Sequence, residues 1–236
     1  MVISVAFTKL PVMKCYKSTL VFIIRNHERV HIQPLTIIRC LGVGQLNKRG
    51  LFSFITDHRK RLLKMMPRNS ICAEIGVWEG DFSKRIMEIT TPSELHLIDP
   101  WEFQPSFPHR WFGGSKASNQ EDMDRIFDSV KSRFANSSEV FFHRKYSEDA
   151  HTGFQNEFFD WVYIDGNHDN DFVKSDLDNF LPKVKPGGFL AGDDYLLPSK
   201  EVGRTLPVKE AVQDFVKDNN VSIVKIIGGQ FILQKN

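Results

Sequence analysis

Residues 71–80 read Ile71-Cys72-Ala73-Glu74-Ile75-Gly76-Val77-Trp78-Glu79-Gly80. A short apolar run bounded by a glycine turn reads as a strand buried on both faces, the kind found in parallel sheets. The two glycines permit a tight turn and a close approach of backbone to a ligand. Phe82 to Ile89 then follows at helical spacing, so the unit is strand, turn, helix.

The same unit repeats downstream. Glu94–Ile98 reads as a second strand ending in Asp99-Pro100, and Glu121–Phe134 as a helix. Glu139–His143 is a third strand, and Phe159–Ile164 a fourth that ends in Asp165-Gly166. Phe172–Val184 is a helix closed by Pro186-Gly187-Gly188. Phe189–Ala191 is a fifth strand ending in Gly192-Asp193-Asp194, and Val208–Lys217 is a helix. Val221–Ile227 and Gln230–Gln234 flank Gly228-Gly229, a hairpin signal. Strands alternating with helices predict an α/β fold with helices on both faces of the sheet. The expectation is a Rossmann-like, doubly wound, mostly parallel seven-stranded sheet with a C-terminal antiparallel hairpin. Upstream, Leu51 to Met66 has helical spacing ended by Pro67. Residues 1–50 carry weaker signals, with β-branched runs at Thr19–Ile24 and Val30–Ile38, the second interrupted by Pro34. The division expected is an N-terminal extension, 1–50, and one domain, 51–236.

Composition narrows the function classes. Of 236 residues, 41% are hydrophobic and 25% charged, which is a soluble globular balance with a full core. A net charge of +2 argues against nucleic acid as a partner, which calls for a concentrated basic stripe. Cys15, Cys40 and Cys72 are odd in number and far apart, without metal spacing, so a reducing, cytoplasmic setting is expected. The run Leu20–Ile24 is too short to span a bilayer and is followed by Arg25, His27, Glu28 and Arg29, with no small-residue cleavage site. No membrane partner is expected, and a homo-oligomer is compatible with the sequence.

The chemistry-bearing residues fall at strand ends, where repeated β-α units bind ligands. The first motif, Glu74 to Gly80, spaces its glycines G-x-x-x-G, not the G-x-G-x-x-G of a pyrophosphate cradle. An acidic residue before the first glycine repels a diphosphate and suits a ligand with a cationic amino group. Asp99, about 25 residues on, is placed to accept hydrogen bonds from ribose hydroxyls. Together they point to an adenosine-containing ligand, against the plainer reading of turn glycines and a capping carboxylate. The third motif is Tyr163-Ile-Asp-Gly-Asn-His168 with Gly192-Asp-Asp-Tyr195. Asp165, Asp193 and Asp194 converge at neighbouring strand ends. Such a trio needs a cation, and hard oxygen ligands suit Mg²⁺. The ion lowers the pKa of a substrate hydroxyl, and His168 in the same loop is placed to take the proton. The plainer alternatives are a solvated turn and a structural histidine.

Taken together, Glu-x-Gly-x-x-x-Gly, the strand-end Asp, Tyr-Ile-Asp-Gly-x-His, Leu-Pro-Lys-Val-Lys-Pro-Gly-Gly and Gly-Asp-Asp-Tyr resemble class I S-adenosylmethionine-dependent methyltransferases. The likeness runs from about residue 70 to 236 and is strongest to the small-molecule O-methyltransferase branch that includes macrocin-type sugar methyltransferases. The resemblance implies that Glu74, Gly76 and Gly80 line the methionine side of the cofactor. It implies that Asp99 binds the ribose, that Ser147 lies near the adenine, and that Asp165, Asp193 and Asp194 hold Mg²⁺. It departs at Asn167, where the sugar enzymes tend to carry a basic Asp, so either His168 takes that role or the metal mechanism does not carry over.

The expected reaction is transfer of a methyl group from S-adenosyl-L-methionine to a hydroxyl of a small, sugar-like acceptor, with Asp165 and His168 as catalytic residues. Three rivals stand beside it: a metal-independent methyltransferase, an NAD-dependent oxidoreductase, and a catalytically silent module. Two segments bear on specificity. The loop Trp101 to Ser118, with Phe103, Phe107, His109, Arg110, Trp111 and Phe112, is either a lid or simple packing. Pro198 to Pro207, with Lys200, Glu201 and Arg204, lies just beyond Asp194.

Overall fold

The computed structural model describes residues 57–105, 117–199 and 205–236. The N-terminal extension, Cys15, Cys40, Phe107 to Phe112, Lys200, Glu201 and Arg204 lie outside the described residues.

Helix α1 (His58–Leu63) leads into β1 (Ile71–Ile75), α2 (Asp81–Thr90) and β2 (Glu94–Ile98). Then come α3 (Gln120–Arg133), β3 (Val140–His143) and the short α4 (Ser147–Ala150), which the sequence reading missed. Next are β4 (Phe159–Ile164), α5 (Asn170–Phe180) and β5 (Val184–Gly192). The fold closes with α6 (Pro207–Asp218), β6 (Val221–Ile227) and β7 (Gln230–Lys235).

The strands form one seven-stranded sheet in the order β3-β2-β1-β4-β5-β7-β6. β1 to β5 pair in parallel, and β7 runs antiparallel to both β5 and β6. The doubly wound α/β fold with a terminal antiparallel hairpin is therefore as the sequence led us to expect. The winding reverses between β1 and β4, and the ends of these two strands define a crevice suited to a ligand.

Side-chain alternation sorts the core into two layers. Cys72, Leu95, Leu97, Trp161 and Tyr163 pack with α1, α2 and α3 on one face. Val162, Ile164 and Leu190 pack with α5 and α6 on the other. Phe159 and Trp161, two residues apart, nonetheless face opposite layers. The pairing of β4 with β5 is irregular over the same stretch, where Phe159 opposes Val184 and Trp161 opposes Phe189. Asp160 stands at the irregularity and ties it down, accepting from the Ile71 N–H at 2.7 Å and from Lys185 Nζ at 2.6 Å.

The boundary before the fifth strand differs most from the sequence reading. Pro186-Gly187-Gly188, taken as the stop before the fifth strand, lies inside β5. A Cβ on Gly188 would stand 2.6 Å from the Asp160 carbonyl oxygen, so glycine lets the two strands approach.

On the β2–β3 side, His96 Nδ1 and His143 Nε2 are 2.9 Å apart, within an aromatic group that includes Phe154, Phe158 and Phe159. Burial, with the nearby His96 and Lys145, pushes His143 down to about 4. The unfolded chain binds this proton near pH 6.5 and the folded chain does not. Its contribution is thus complete above pH 6.5 and lost as pH falls from there to about 4. We expect wild-type stability to fall by on the order of 2 kcal/mol more than that of His143→Gln across this window. Paired urea melts at pH 7 and pH 4.5 measure it, and parallel losses would refute the assignment.

Candidate active site

The crevice is built where the β1 loop meets the β4 loop. Gly76 has φ +83°, and a Cβ there would lie 2.1 Å from the Asp165 carbonyl oxygen. Only a glycine lets these loops touch. Gly80, at φ +73°, is the N-cap of α2. Between them Trp78 has positive φ, 54°, as does Trp101 at 42°.

Asp99 holds that strained loop. Its Oδ2 accepts from the N–H groups of Val77 at 2.9 Å and Trp78 at 3.0 Å, and its Oδ1 from Trp101 N–H at 2.7 Å. Burial pushes its pKa up, and these three donors pull against that. A carboxylate offers about four acceptor positions, so about one remains for a ligand. The Trp101 indole is fully buried and donates to the Trp78 carbonyl at 2.9 Å, so this residue of the loop is packing rather than lid.

Glu74 is buried at the end of β1, with the Ser83 hydroxyl donating to it at 2.5 Å. Burial raises its pKa well above the carboxylate range. The group therefore holds its proton more firmly than the ionised carboxylate assumed from sequence.

Ser147, at the start of α4, donates to Asp176 Oδ1 at 2.5 Å. Asp176, on α5 and almost wholly buried, is pushed up to about 6 by that burial. Both line a cleft of about 320 Å³ with Phe103, Gln104, Tyr146 and Phe172.

The three aspartates divide. Asp194 has φ +59°, and its side chain and that of Asp193 take different partners. Asp194 Oδ2 stands 3.0 Å from His168 Nε2, and Asp165 Oδ1 3.8 Å from the same nitrogen. One ligand atom each from Asp165, His168 and Asp194 lie within 4.8 Å of one another, a spacing that fits a cation. Asp193 is not in this group. Its Oδ1 accepts from Gln230 Nε2 and from the Asp194 N–H, and its Oδ2 from Arg59 Nε at 2.6 Å and Arg59 Nη2. Those four donors fill its acceptor positions. Arg59 Nη2 also donates to Asp165 Oδ2 at 2.8 Å, and the guanidinium lies 5.1 Å over the Phe82 ring. Burial opposes its charge, and Asp165, Tyr163 and Asp193 outweigh that to raise its pKa.

His168 differs from expectation in its proton. Although burial lowers it, the carboxylates of Asp165 and Asp194 that face it raise it to about 9. In the ligand-free protein it is a cation at neutral pH, not a free base.

Arg59, Ser83, Gln230 and Asp176 were not legible as site residues. Arg59 sits in a plain amphipathic stretch and Asp176 on an amphipathic helix. Only Gln230 carried a signal, a polar residue opening an apolar strand.

A doubly wound sheet with a glycine loop, a strand-end acid and an acidic cluster along one crevice defines a nucleotide-cofactor-binding α/β enzyme class. A family model described as "Methyltransferase domain" matches residues 73–195, just over half of the chain, and the chain belongs to that family of S-adenosylmethionine-dependent methyltransferases. Solved structures share the fold at low identity. A protein of Corynebacterium glutamicum is 15% identical, with TM-score 0.53, covering 85% of this chain and 87% of its own. A putative caffeoyl-CoA O-methyltransferase from Staphylococcus aureus is 15% identical, with TM-score 0.52, covering 87% and 93%. A putative rRNA methylase from Clostridium thermocellum is 11% identical, with TM-score 0.51, covering 82% and 100%. The fold is thus common to proteins described with different acceptors and does not choose between a small molecule and RNA. No curated protein matches the sequence. Among the described residues no helix is long and apolar enough to cross a membrane.

Proposed function

We propose that this protein transfers the methyl group of S-adenosylmethionine to a hydroxyl of a small polar acceptor. The observation that carries this reading is the abutment of the β1 glycine loop on the β4 acidic loop at Gly76 and Asp165. It sets a cofactor loop directly beside polar groups able to handle an acceptor. In the reaction the sulfur–methyl bond breaks, an oxygen–methyl bond forms, and the acceptor's proton leaves, to water where an ion acidifies the hydroxyl or to a site carboxylate where none does.

Each residue has a part to play. Gly76 and Gly80 admit the methionine portion, and Glu74 takes its cationic amino group, giving up its proton to do so. The remaining acceptor position on Asp99 suits a ribose hydroxyl. The cleft beside Ser147 has the aromatic walls, Phe103, Tyr146 and Phe172, that a flat base requires. Asp165, Asp194 and, once its ring has given up its proton, His168 would hold a divalent ion, with His168 in the place expected of Asp193. Such an ion supplies a positive charge that offsets the carboxylates and lowers the pKa of an acceptor hydroxyl.

Arg59 favours a second reading, without metal. Its guanidinium already compensates Asp165 and Asp193. The acceptor proton then passes to a carboxylate oxygen of Asp194, with His168 remaining charged beside it.

Calorimetric titration with S-adenosylhomocysteine, with and without Mg²⁺, is the first test. Micromolar binding is expected, and none in either condition would sink the cofactor reading. Methylation of hydroxylated acceptors, sugars first and RNA in parallel, identifies the acceptor class. We expect Asp194→Asn to lower turnover by about a hundredfold while leaving homocysteine-product binding within about threefold. Full activity after exhaustive chelation would select the metal-free reading.

A further inference from the structure

Helix α1 is fixed on several sides. Its N-cap Asp57 accepts from the Lys60 N–H at 2.9 Å and pairs with Arg85 of α2 at 2.5 Å. The His58 ring fills the space over Gly228 in the β6–β7 turn, where a Cβ would come within 2.4 Å of it. Leu62 and Leu63 are buried. Between these anchors, Arg59 is delivered to a fixed place beside the acidic group, two-thirds covered.

A guanidinium has donors and no lone pair, so it cannot ligate an ion. It can only stand where a cation would stand. Arg59 Nη2 bonds both Asp165 and Asp193, which brings their oxygens together around one nitrogen. Asp165 is left with Oδ1 for any other partner, and Asp193 with nothing.

We propose that Arg59 is a resident cation that occupies the Asp165–Asp193 side of the cluster, confining a divalent ion to the weaker Asp165–His168–Asp194 face. Arg59 is a positioning residue on this view, because it sets which carboxylates an ion can reach. The inference rests on the reading of that face as a cation site. It gives the neutral hydrophobic replacement an unusual property, which is a gain of metal affinity.

The test is titration of the full-length chain with Mn²⁺, followed by electron paramagnetic resonance of the free ion. Arg59→Met removes the competing charge and frees Asp193 as a fourth ligand, so Mn²⁺ affinity is expected to rise by about tenfold or more. Arg59→Lys keeps a charge there and is expected to stay within about threefold of wild type. Unchanged or weaker Mn²⁺ binding by folded Arg59→Met would overturn the proposal. Should that variant not fold, the wild-type background still decides. Asp193→Asn should leave Mn²⁺ affinity within about twofold and Asp194→Asn should lower it by about tenfold. Equal losses at both positions would mean that Asp193 ligates and that Arg59 does not exclude it. S-adenosylhomocysteine titration of the same samples keeps the two readings apart. Product binding without the Mn²⁺ response refutes only the role of Arg59, and the Mn²⁺ response without product binding refutes only the cofactor.

Discussion

Replacing Gly76 by alanine is expected to destabilise the protein by about 4 kcal/mol or to prevent folding, and to abolish S-adenosylhomocysteine binding. Two costs combine. The φ of +83° is strained for any side chain, and the new Cβ would overlap the Asp165 carbonyl oxygen at 2.1 Å. That atom is backbone on a central strand end, so it cannot rotate away as a side chain would. Relief requires parting the β1 and β4 loops, which opens the crevice itself. The Asp165 N–H donates to the Ile75 carbonyl at 2.8 Å, and that bond would stretch as well. Gly153→Ala is the control. Nothing lies within 4 Å of a Cβ there and φ is ordinary, so a change within about 0.5 kcal/mol is expected. Urea melts of the two variants measure the contrast. Wild-type stability in Gly76→Ala would mean that the loops do not touch as described.

The second large effect is expected at Asp99. Asp99→Ala leaves the N–H groups of Val77, Trp78 and Trp101 without their acceptor. Each orphaned donor costs about 1–3 kcal/mol where water cannot replace the carboxylate. Trp78 and Trp101 also sit at positive φ, and Asp99 is the group that holds both there. We expect a loss of about 3–5 kcal/mol in stability and about a hundredfold in S-adenosylhomocysteine affinity. Asp99→Asn should fall between, because the amide keeps one oxygen and points an N–H₂ at a donor in place of the other. If alanine and asparagine weaken product binding equally while stability is unchanged, Asp99 acts on the ligand alone and not through the loop. Calorimetry and melts on the same preparations separate these outcomes.

The methyltransferase fold was legible because its signals are local. Phe159–Ile164 and Val221–Ile227 were read to the residue, since apolar runs bounded by turns leave little freedom in a buried strand. Most helix ends moved by a residue or two, but the helix read over Phe172–Val184 stops four residues early, at Phe180. The extent of β5 was misread, because Pro186-Gly187-Gly188 is a turn signal by composition and a strand only when Asp160 of β4 lies against it. That contact spans separate parts of the chain.

The site separated along the same line. Which residues sit at strand ends follows from the order of motifs, and Glu74, Gly76, Asp99, Asp165 and Asp194 all fall along the crevice. What each side chain bonds to does not follow. Asp193 and Asp194 are neighbours of the same type, yet one pairs with Arg59 and the other, at positive φ, with His168. Arg59 reaches Asp193 across 134 residues, and no local pattern marks it. His168 is pushed toward its protonated form by two carboxylates, Asp165 three residues upstream in its own loop and Asp194 from the end of the next strand, and only the second pairing needs the fold. The sequence by itself determined the strand order of motifs, the glycine loop and the family. The tertiary structure decided which distant charges face one another, since electrostatic partnership depends on separation in space and not along the chain.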